Sequence, residues 1–399
     1  MSWEKMKLID CCVSIADGDH QPPPKSEKGI PFVTITNIVN NQFDFTNSMF
    51  VPNNYYEKLD RKRKAQKDDI LYSVVGSFGI PVLIKDDKPF VFQRHIAILR
   101  PNENVDARFL YYTMLSRDFY MKADAAAVGA AQRTVSLTAL RNIEVAVPHI
   151  ETQRRIADIL SAYDDLIENN RKQIKLLEEA AQRLYKEWFV DLRFPGYEHT
   201  KIVDGVPEGW EVYPFSDKVD IMSGGTPKTD NPSYYNGTIP FYTPKDSDGS
   251  FFSFKTITNI TEEGLNNCNS RLYPENTVVI TARGTVGKTT LLAVPMAMNQ
   301  SCYALKSDEI AAPYYLFFAL NKEIASLNAM SNGGVFNTII VKTFDSIHIT
   351  IPSNSLIPIF ETTVSSIMQQ IKIKIQENFI LSEARDRLLP KLMSGEVEV

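Results

Sequence analysis

Residues 151–190 read ETQRRIADILSAYDDLIENNRKQIKLLEEAAQRLYKEWFV, and this stretch decides the fold. Its apolar residues recur at alternating steps of four and three. The pattern is sustained over about five heptads, which indicates one long helix that packs against another helix. The positions are 156, 160, 163, 167, 174, 177, 181, 184 and 188, with polar Asn170 at the one missing step. We call this row of positions the apolar seam.

The seam returns near the end of the chain. Adding 204 to each position, with 170 included, gives a second seam with no insertion, namely Phe360, Val364, Ile367, Ile371, Lys374, Asn378, Leu381, Arg385, Leu388 and Leu392. A lone amphipathic helix would only cover its own domain, whereas a 3.5-residue period on both helices predicts that they pack on each other. Because each helix follows its own domain, a pseudo-twofold axis would make the pair antiparallel. Pairing about a midpoint near residue 172 then sets Asn170 opposite Asn378, a polar layer that would fix the register.

Short motifs upstream of each helix repeat at an offset of roughly 205 residues. Two of them are Gly29-Ile-Pro-Phe32, which returns as Thr238-Ile-Pro-Phe241, and Ile143-Glu-Val-Ala-Val-Pro148, which returns as Ile347-His-Ile-Thr-Ile-Pro352. Between the motifs, β-branched runs predict strands, with one short helix near 107–122 and another near 312–328. The predicted fold class is α+β, with two duplicated mixed α/β globules separated by two long helices that form a pseudo-twofold antiparallel coiled coil.

These patterns divide the 399 residues into five segments. They are a first domain at 1–149, a first spacer helix at 150–191, a linker at 192–206, a second domain at 207–352, and a second spacer helix with a C-terminal tail at 353–399. No signal peptide and no run of about 18 apolar residues occurs, so we expect a cytoplasmic protein without a membrane partner. The four Cys and five His have no metal-ligand spacing, so neither a metal site nor a disulfide framework is expected.

Charge is unevenly distributed within the formal net charge of −5. The total argues weakly against nucleic acid, since dedicated binders usually carry excess Lys and Arg. Residues 1–148 nevertheless have a net charge of +2, and six basic residues share one decapeptide beside Tyr55 and Tyr56. These candidate phosphate contacts are Lys58, Arg61, Lys62, Arg63, Lys64 and Lys67. The alternative is a solvated, charge-rich surface loop.

The second domain must present its basic residues selectively, because residues 211–352 have a net charge of −3. The candidates are Lys228, Lys245, Arg283 and Lys288. Two modules held apart by a rigid helical spacer suit a partner that carries two sites at a fixed distance. Double-stranded DNA is the obvious example, because its recognition surfaces follow the helical repeat.

Candidate base-reading residues lie in equivalent loops of the two domains. Arg can read guanine, and Asn or Gln can read adenine, through paired hydrogen bonds. The candidates are Gln93, Arg94 and His95 with the aligned Asn299 and Gln300, and Gln132 and Arg133 with Asn332 and Asn337. The alternative for each residue is that its side chain satisfies backbone groups of a turn.

The segment GGTPKTDNPSYYNGTIPFYTPKD at 224–246 resembles a target-recognition domain of type I restriction-modification specificity subunits. Further segments agree with this resemblance over essentially the whole chain. They are PEGW at 207–210, RRIADIL at 154–160 with IENNR at 167–171, WFVDLRFPG at 188–196 and LLPKLMSG at 388–395. The first domain departs from the pattern, since it has DGDHQPPP at 17–24 where Gly-Gly-Thr-Pro is expected.

The resemblance implies a recognition subunit that is not an enzyme. In that family each globule, a target-recognition domain, reads one half of a split DNA sequence. The helix pair sets the spacer and docks two methyltransferase (modification) subunits, and motor-nuclease (restriction) subunits join for restriction. S-adenosylmethionine, ATP and magnesium then belong to the partner subunits, so no cofactor is expected in this chain.

Two motifs favour the alternative of an enzyme, either a phosphate-loop NTPase or a stand-alone DNA methyltransferase. ARGTVGKT at 282–289 satisfies a relaxed phosphate-loop pattern, but the residues after it predict a strand rather than a helix. We therefore expect a strand-turn-strand whose Arg283 and Lys288 face DNA. NPSY at 231–234 resembles a methyltransferase element, but no glycine-rich cofactor loop accompanies it, which favours a turn.

Overall fold

The computed structural model describes residues 3–20, 23–130, 132–203, 205–330, 338–352 and 355–399. The chain divides into two compact units. The first unit comprises Met1–Ile167 and Ile380–Val399, and the second comprises Glu168–Phe379. Among the described residues, no helix is long and apolar enough to cross a membrane.

The first unit is built on an antiparallel sheet of four strands. Its strands are β1 (Glu4–Lys7), β2 (Cys12–Asp17), β3 (Ile30–Val33), β4 (Ile38–Val39), β5 (Gln42–Phe43), β6 (Met49–Val51), β7 (Ile70–Ser73), β8 (Pro81–Leu83), β9 (Val91–Phe92), β10 (Ile96–Pro101) and β11 (Glu144–Val147). Its short helices are α1 (Asn53–Lys58), α2 (Ala107–Leu115), α3 (Arg117–Ala126) and α4 (Leu137–Arg141). The sheet orders are β2-β10-β7-β8, β6-β3-β9, β1-β11 and β4-β5.

The long helix α5 (Ile150–Phe189) leads from the first unit into the second. The strands that follow are β12 (Ile202–Val203), β13 (Val206–Pro207), β14 (Glu211–Pro214), β15 (Asp220–Ser223), β16 (Tyr235–Tyr242), β17 (Phe252–Ser253), β18 (Asn259–Ile260), β19 (Val278–Thr281), β20 (Thr289–Leu292), β21 (Ala297–Met298), β22 (Cys302–Lys306) and β23 (His348–Ile351). The helices are α6 (Phe215–Lys218), α7 (Glu262–Asn266), α8 (Pro313–Met330) and α9 (Leu356–Met393). The sheet orders are β15-β22-β19-β20-β17, β18-β16-β21, β14-β23 and β12-β13.

The two units repeat one topology, which confirms the duplication predicted from the motifs. The order β2-β10-β7-β8 of the first unit corresponds to β15-β22-β19-β20 of the second. A parallel pair also recurs. Phe32 of β3 lies opposite Val91 of β9, and Phe241 of β16 lies opposite Ala297 of β21. The last strand before each long helix also has an equivalent partner, since β11 pairs antiparallel with β1 and β23 pairs antiparallel with β14.

The helix predicted near 107–122 is wrong as a single element. It is two helices, α2 and α3, because Ser116 between them has an extended backbone, with ψ of 149°. The Ser116 hydroxyl accepts a hydrogen bond from the Phe119 N–H and so caps α3. The corresponding helix of the second unit, α8, runs unbroken over Pro313–Met330, close to the predicted 312–328.

Within the second unit the two long helices run antiparallel. Asn170 of α5 contacts Glu377 of α9. Closer to the C-terminal end of α5, Tyr185 contacts Phe360, which lies near the N-terminal end of α9. Residue numbers thus rise along one helix as they fall along the other. The helix pair also carries the unit's core, since Tyr185 stacks on Phe318 of α8 and Phe360 packs edge-on against Phe189. The predicted pairing of the two long helices is confirmed in this unit.

A polar step interrupts the apolar contact at Asn170, as the missing heptad position indicated. The Asn170 Nδ2 donates to Glu377 at 3.2 Å, and the Lys374 Nζ donates to the Asn170 Oδ1 at 3.4 Å. Among the described residues, the buried Oδ1 of Asn378 has no hydrogen-bond partner. The hydrogen bonds of this step therefore go to neighbours of Asn378, and the Asn170–Asn378 layer stays a prediction.

The first unit uses the opposite ends of the same helices. Leu389 and Leu392 of α9 are buried in its core together with Ile156 and Leu160 of α5. These four residues include three seam positions. The seam therefore contributes to the core of each unit, which accounts for its length.

We expect Phe360→Ala to lower the free energy of unfolding of the second unit by about 3–5 kcal/mol, because it empties a fully buried aromatic site. The matched control is Ile359→Ala at the next position, where the side chain is 47% exposed and the change should stay within about 0.5 kcal/mol. Urea unfolding followed by Trp fluorescence measures both, since Trp188 packs on Phe360. Equal stability of the two variants would contradict this account of the helix pair.

Candidate nucleic-acid interface

The glycine-containing segment 282–288 is the turn of a hairpin in the second unit. It joins β19 to β20, which pair antiparallel with Ile280 opposite Thr289. Gly284 and Gly287 have φ of +78° and +80°, which suits tight turns rather than a helix start. The predicted strand-turn-strand is confirmed. A phosphate loop is excluded here, because it must open a helix whose N-terminal amides hold the phosphate.

Four loops of the second unit meet through backbone hydrogen bonds. The Ala282 N–H donates to the Ser301 carbonyl at 2.7 Å, and the Asn299 N–H donates to the Tyr242 carbonyl at 3.0 Å. The Gly225 N–H donates to the Met298 carbonyl at 3.1 Å, which joins the loop that contains Gly224 and Gly225 to the other loops. The Thr285 hydroxyl reaches the Pro244 carbonyl at 3.1 Å. We call the resulting surface, residues 224–228, 243–246, 282–288 and 299–301, the loop cluster of the second unit.

This cluster brings together the four basic candidates of the second domain. They are Lys228, Lys245, Arg283 and Lys288, and each is exposed. No hydrogen bond or ion pair of their side chains is found among the residues that the structure describes. An acidic domain thus presents four exposed cations on one set of adjoining loops, which suits an anionic partner.

A close backbone approach holds the cluster together at Gly224. A Cβ on Gly224 would lie 2.3 Å from the carbonyl oxygens of both Met298 and Asn299. The first unit has the same approach at Gly18, where a Cβ would lie 2.3 Å from the Phe92 oxygen. The first domain therefore lacks the Gly-Gly-Thr-Pro motif but keeps the glycine that the packing requires. The 206-residue offset between Gly18 and Gly224 is the sequence signal that could have shown this.

The loops of the first unit meet in the same way. The Val74 N–H donates to the His95 carbonyl at 2.9 Å, and the Gln93 N–H donates to the Val33 carbonyl at 3.2 Å. The Gly76 N–H donates to the Arg133 carbonyl at 3.0 Å. We call residues 17–20, 34–37, 74–79, 93–95 and 132–135 the loop cluster of the first unit. It contains the base-reading candidates Gln93, Arg94, His95, Gln132 and Arg133.

Several of the base-reading candidates are engaged inside their own turns. The Gln93 Nε2 lies 2.8 Å from the His95 Nδ1, and burial together with the charge of Arg94 lowers the pKa of His95. The Asn299 Oδ1 accepts the Ser301 N–H at 3.0 Å. The side chain of Gln300 pairs with that of Thr226. Arg94 remains exposed, with no side-chain partner within the described part of the chain.

Arg133 and Gln132 lie on the loop beside the 74–79 hairpin. The Arg133 guanidinium is tied to the Asp124 carboxylate at 2.5 Å and lies over the Phe78 ring. Gln132 is exposed and reaches the space beside Gly76. Their counterparts Asn332 and Asn337 lie outside the described residues.

The basic residues of the decapeptide 58–67 do not form one surface. Arg63 lies 3.8 Å from Asp17 and 3.9 Å from Asp19, which places it against the loop cluster of the first unit. Lys64 donates to the Glu57 carbonyl at 2.9 Å and lies over a tyrosine ring. Lys58, at the end of α1, and Arg61 and Lys62, in a 3-10 helix, are exposed.

Lys67 is separated from the other basic residues. It lines a cavity with Arg100 and Arg154, next to the start of β7. That strand pairs Ile70 with Leu99 at this end and Ser73 with Ile96 at the other, where the 93–95 turn lies. Lys67 is therefore about 10 Å or more from the turn along the sheet.

The NPSY segment at 231–234, which resembles a methyltransferase element, forms a capped turn. The Asn231 Oδ1 accepts the Ser233 N–H at 3.1 Å and caps the 3-10 helix Pro232–Tyr234. The turn predicted for NPSY is confirmed. The nearby Asp246 accepts the N–H groups of Thr243 and Ile257. No group of three or more possible metal ligands occurs among the described residues.

The comparisons with known proteins agree over the full length. A family model described as the type I restriction modification DNA specificity domain matches residues 2–179 and 207–384. The chain is 25% identical to the type I restriction enzyme HindI specificity subunit of Haemophilus influenzae, over 92% of this chain and 94% of that protein. It is 24% identical to the type I restriction enzyme MjaIX specificity subunit of Methanocaldococcus jannaschii, over 100% of this chain and 94% of that protein.

A solved structure has the same fold. It is the crystal structure of the type I restriction-modification system S subunit from M. genitalium, with a TM-score of 0.59 and 18% sequence identity. The match covers 98% of this chain and 96% of that one.

We expect Gly224→Ala to lower the free energy of unfolding of the second unit by about 1–3 kcal/mol, because the added methyl overlaps two carbonyl oxygens. Ser223→Ala, at the preceding exposed residue, is the control and should change it by less than about 0.5 kcal/mol. Urea unfolding and limited proteolysis of the loop cluster measure the effect. If Gly224→Ala matches the control, the close approach does not hold the cluster together.

Proposed function

The chain belongs to the type I restriction modification DNA specificity family, and from this premise we propose that it is the DNA-recognition subunit of a type I restriction-modification complex. The observation that carries the proposal is the repeated loop cluster, built in both units on the same backbone hydrogen bonds. Two copies of one reading surface suit a bipartite target. Each unit would read one half of a split double-stranded DNA sequence.

In each cluster, backbone groups fix the positions of the loops and exposed side chains form the surface, which supports this function. The loops are held by backbone groups and glycines, so their exposed side chains can differ between the two copies without loss of the framework. Arg94 occupies the 93–95 turn of the first unit, and Asn299 with Gln300 occupies the same turn of the second. Two clusters with different side chains would read two different half-sites, which makes the target asymmetric.

Phosphate contacts are proposed for the exposed cations around the clusters. In the first unit these are Lys58, Arg61 and Lys62, with Arg63 at the edge of the cluster. In the second they are Lys228, Lys245, Arg283 and Lys288. Contacts of this kind position a protein on the duplex, whereas base contacts supply the sequence information. The net charge of −5 is compatible with this role if partner subunits supply further attraction to DNA.

We further propose that the long helices set the spacer between the half-sites and dock two methyltransferase subunits, to which motor-nuclease subunits are added for restriction. Support comes from relatives that are named as specificity subunits of type I restriction enzymes. The chain itself would carry out no chemistry. S-adenosylmethionine, ATP and magnesium would be bound by the partners, and the complex would act in the cytoplasm.

The alternative of an NTPase or a stand-alone methyltransferase has less support. The 282–288 segment ends in the strand β20, which leaves no helix N-terminus for phosphate. The NPSY segment caps a short 3-10 helix through Asn231, so its amide oxygen is already used.

We expect the double variant Arg61→Ala with Lys62→Ala to reduce the slope of log affinity against log salt by about 2, since each lost phosphate contact removes about 0.9. The assembled complex and a duplex carrying the site methylated in the host are the reagents, and a salt titration gives the slope. Arg283→Ala with Lys288→Ala tests the second unit in the same way. Lys5→Ala with Lys7→Ala, on the separate β1-β11 sheet, removes the same charge and should leave the slope unchanged. An unchanged slope in both test variants would count against these surfaces.

A further inference from the structure

The two units differ at one equivalent place in the packing of the long helices. In the first unit, Asp164 of α5 accepts hydrogen bonds from two partners. The Arg385 Nη1 of α9 donates to its Oδ1 at 2.5 Å, and the Tyr112 hydroxyl of α2 donates to its Oδ2 at 2.7 Å. The side chains of Arg385 and Asp164 are only 20% and 23% exposed. We call these three residues the polar triad.

The remaining donors of Arg385 are also satisfied. Its Nε and Nη2 donate to Asp386 at 2.9 and 2.8 Å. The guanidinium thus bridges a largely buried carboxylate and an exposed one. Removing either member of the Arg385–Asp164 pair would leave the other largely buried without its partner, which proteins tolerate poorly.

The second unit replaces the polar triad with apolar residues. The repeat offsets place Phe318 at the position of Tyr112, Met368 at that of Asp164, and Ala181 at that of Arg385. All three are buried in the core of the second unit. At this position the helix packing is therefore charged in the first unit and apolar in the second.

We propose that the polar triad selects α9 as the partner of α5 and excludes pairing of either helix with its own copy in a second chain. The excluded partner is a second copy of this chain, and the inference does not depend on DNA recognition. The polar triad determines which helix α5 and α9 each pair with. The apolar seam supplies most of the contact area, whichever two helices pair.

The selection follows from the repeat. In an α5–α5 pair with the same register, Asp164 would face Ala181, since Ala181 has in α5 the place that Arg385 has in α9. In an α9–α9 pair, Arg385 would face Met368 for the same reason. Each arrangement places two charged side chains, one from each copy, opposite an apolar residue instead of the opposite charge. Only the α5–α9 pair neutralises them, as charges and single polar layers do in other paired helices.

The seam alone could not make this choice. At an offset of 204, seven of its nine apolar positions are apolar in both helices, the exceptions in α9 being Asn378 and Arg385, so either helix could still bury apolar surface against its own copy. Apolar burial is non-directional and depends on area rather than on partner. A charged pair that is present in the first unit and replaced by apolar residues in the second supplies the missing distinction.

The test is the triple variant Tyr112→Phe, Asp164→Met and Arg385→Ala, which gives the full chain the residues of its own second unit. After refolding, sedimentation velocity over a range of concentrations measures self-association. We expect the self-association constant to rise at least about 100-fold over wild type, since mispairing no longer places a charge opposite an apolar residue. The charge-exchanged variant Asp164→Arg with Arg385→Asp is the control and should sediment as wild type does.

Two results would overturn the proposal. One is a triple variant that sediments as wild type at every concentration, and the other is a charge-exchanged variant that associates as strongly as the triple variant. A triple variant that fails to fold would also contradict it, because the same apolar side chains pack in the second unit. Circular dichroism and thermal unfolding separate that case from specific association.

Discussion

The architecture depends on the apolar contact between two long helices, α5 and α9. In each unit the core is completed by a segment of both helices. The second unit packs Tyr185 and Phe360 against its own short helix α8, and the first unit buries Leu392 of α9 with Ile156 of α5. Since Leu389 and Leu392 of α9 lie in the core of the first unit, that core combines residues distant in sequence. The apolar seam is long because it serves two cores.

The loop clusters follow a different physical rule. Their positions are set by backbone hydrogen bonds and by two glycines, Gly18 and Gly224, at which no side chain fits. On the cluster surfaces the side chains of Arg94 and Arg283 are exposed and make no hydrogen bond or ion pair with the residues that the structure describes. A framework of this kind separates the position of the loops from the chemistry of their exposed side chains.

Regular features could be predicted from the sequence, and local pairings could not. The heptad spacing predicted the long helix α5, and the apolar residues after Lys288 predicted the hairpin that excludes a phosphate loop. The break at Ser116 was missed because the flanking residues keep a helical pattern. The break is marked only by the Ser116 hydroxyl, which donates to the Thr113 carbonyl at the end of α2 and caps the start of α3. Lys67 was grouped with its sequence neighbours, although it lies at the end of β7 that is opposite the 93–95 turn. The ion pair of Arg133 with Asp124 joins two residues whose contact no spacing rule indicates.

The central claim is that each unit reads its own half of one DNA site. Sequencing of methylated bases in the host genome tests it most directly, with the wild-type chain and with a chain whose residues 207–352 are exchanged for those of another family member. The account predicts a motif of two short halves with a fixed spacer, in which the exchange alters one half and leaves the other half and the spacer unchanged. A continuous motif, or an exchange that alters both halves, would contradict it.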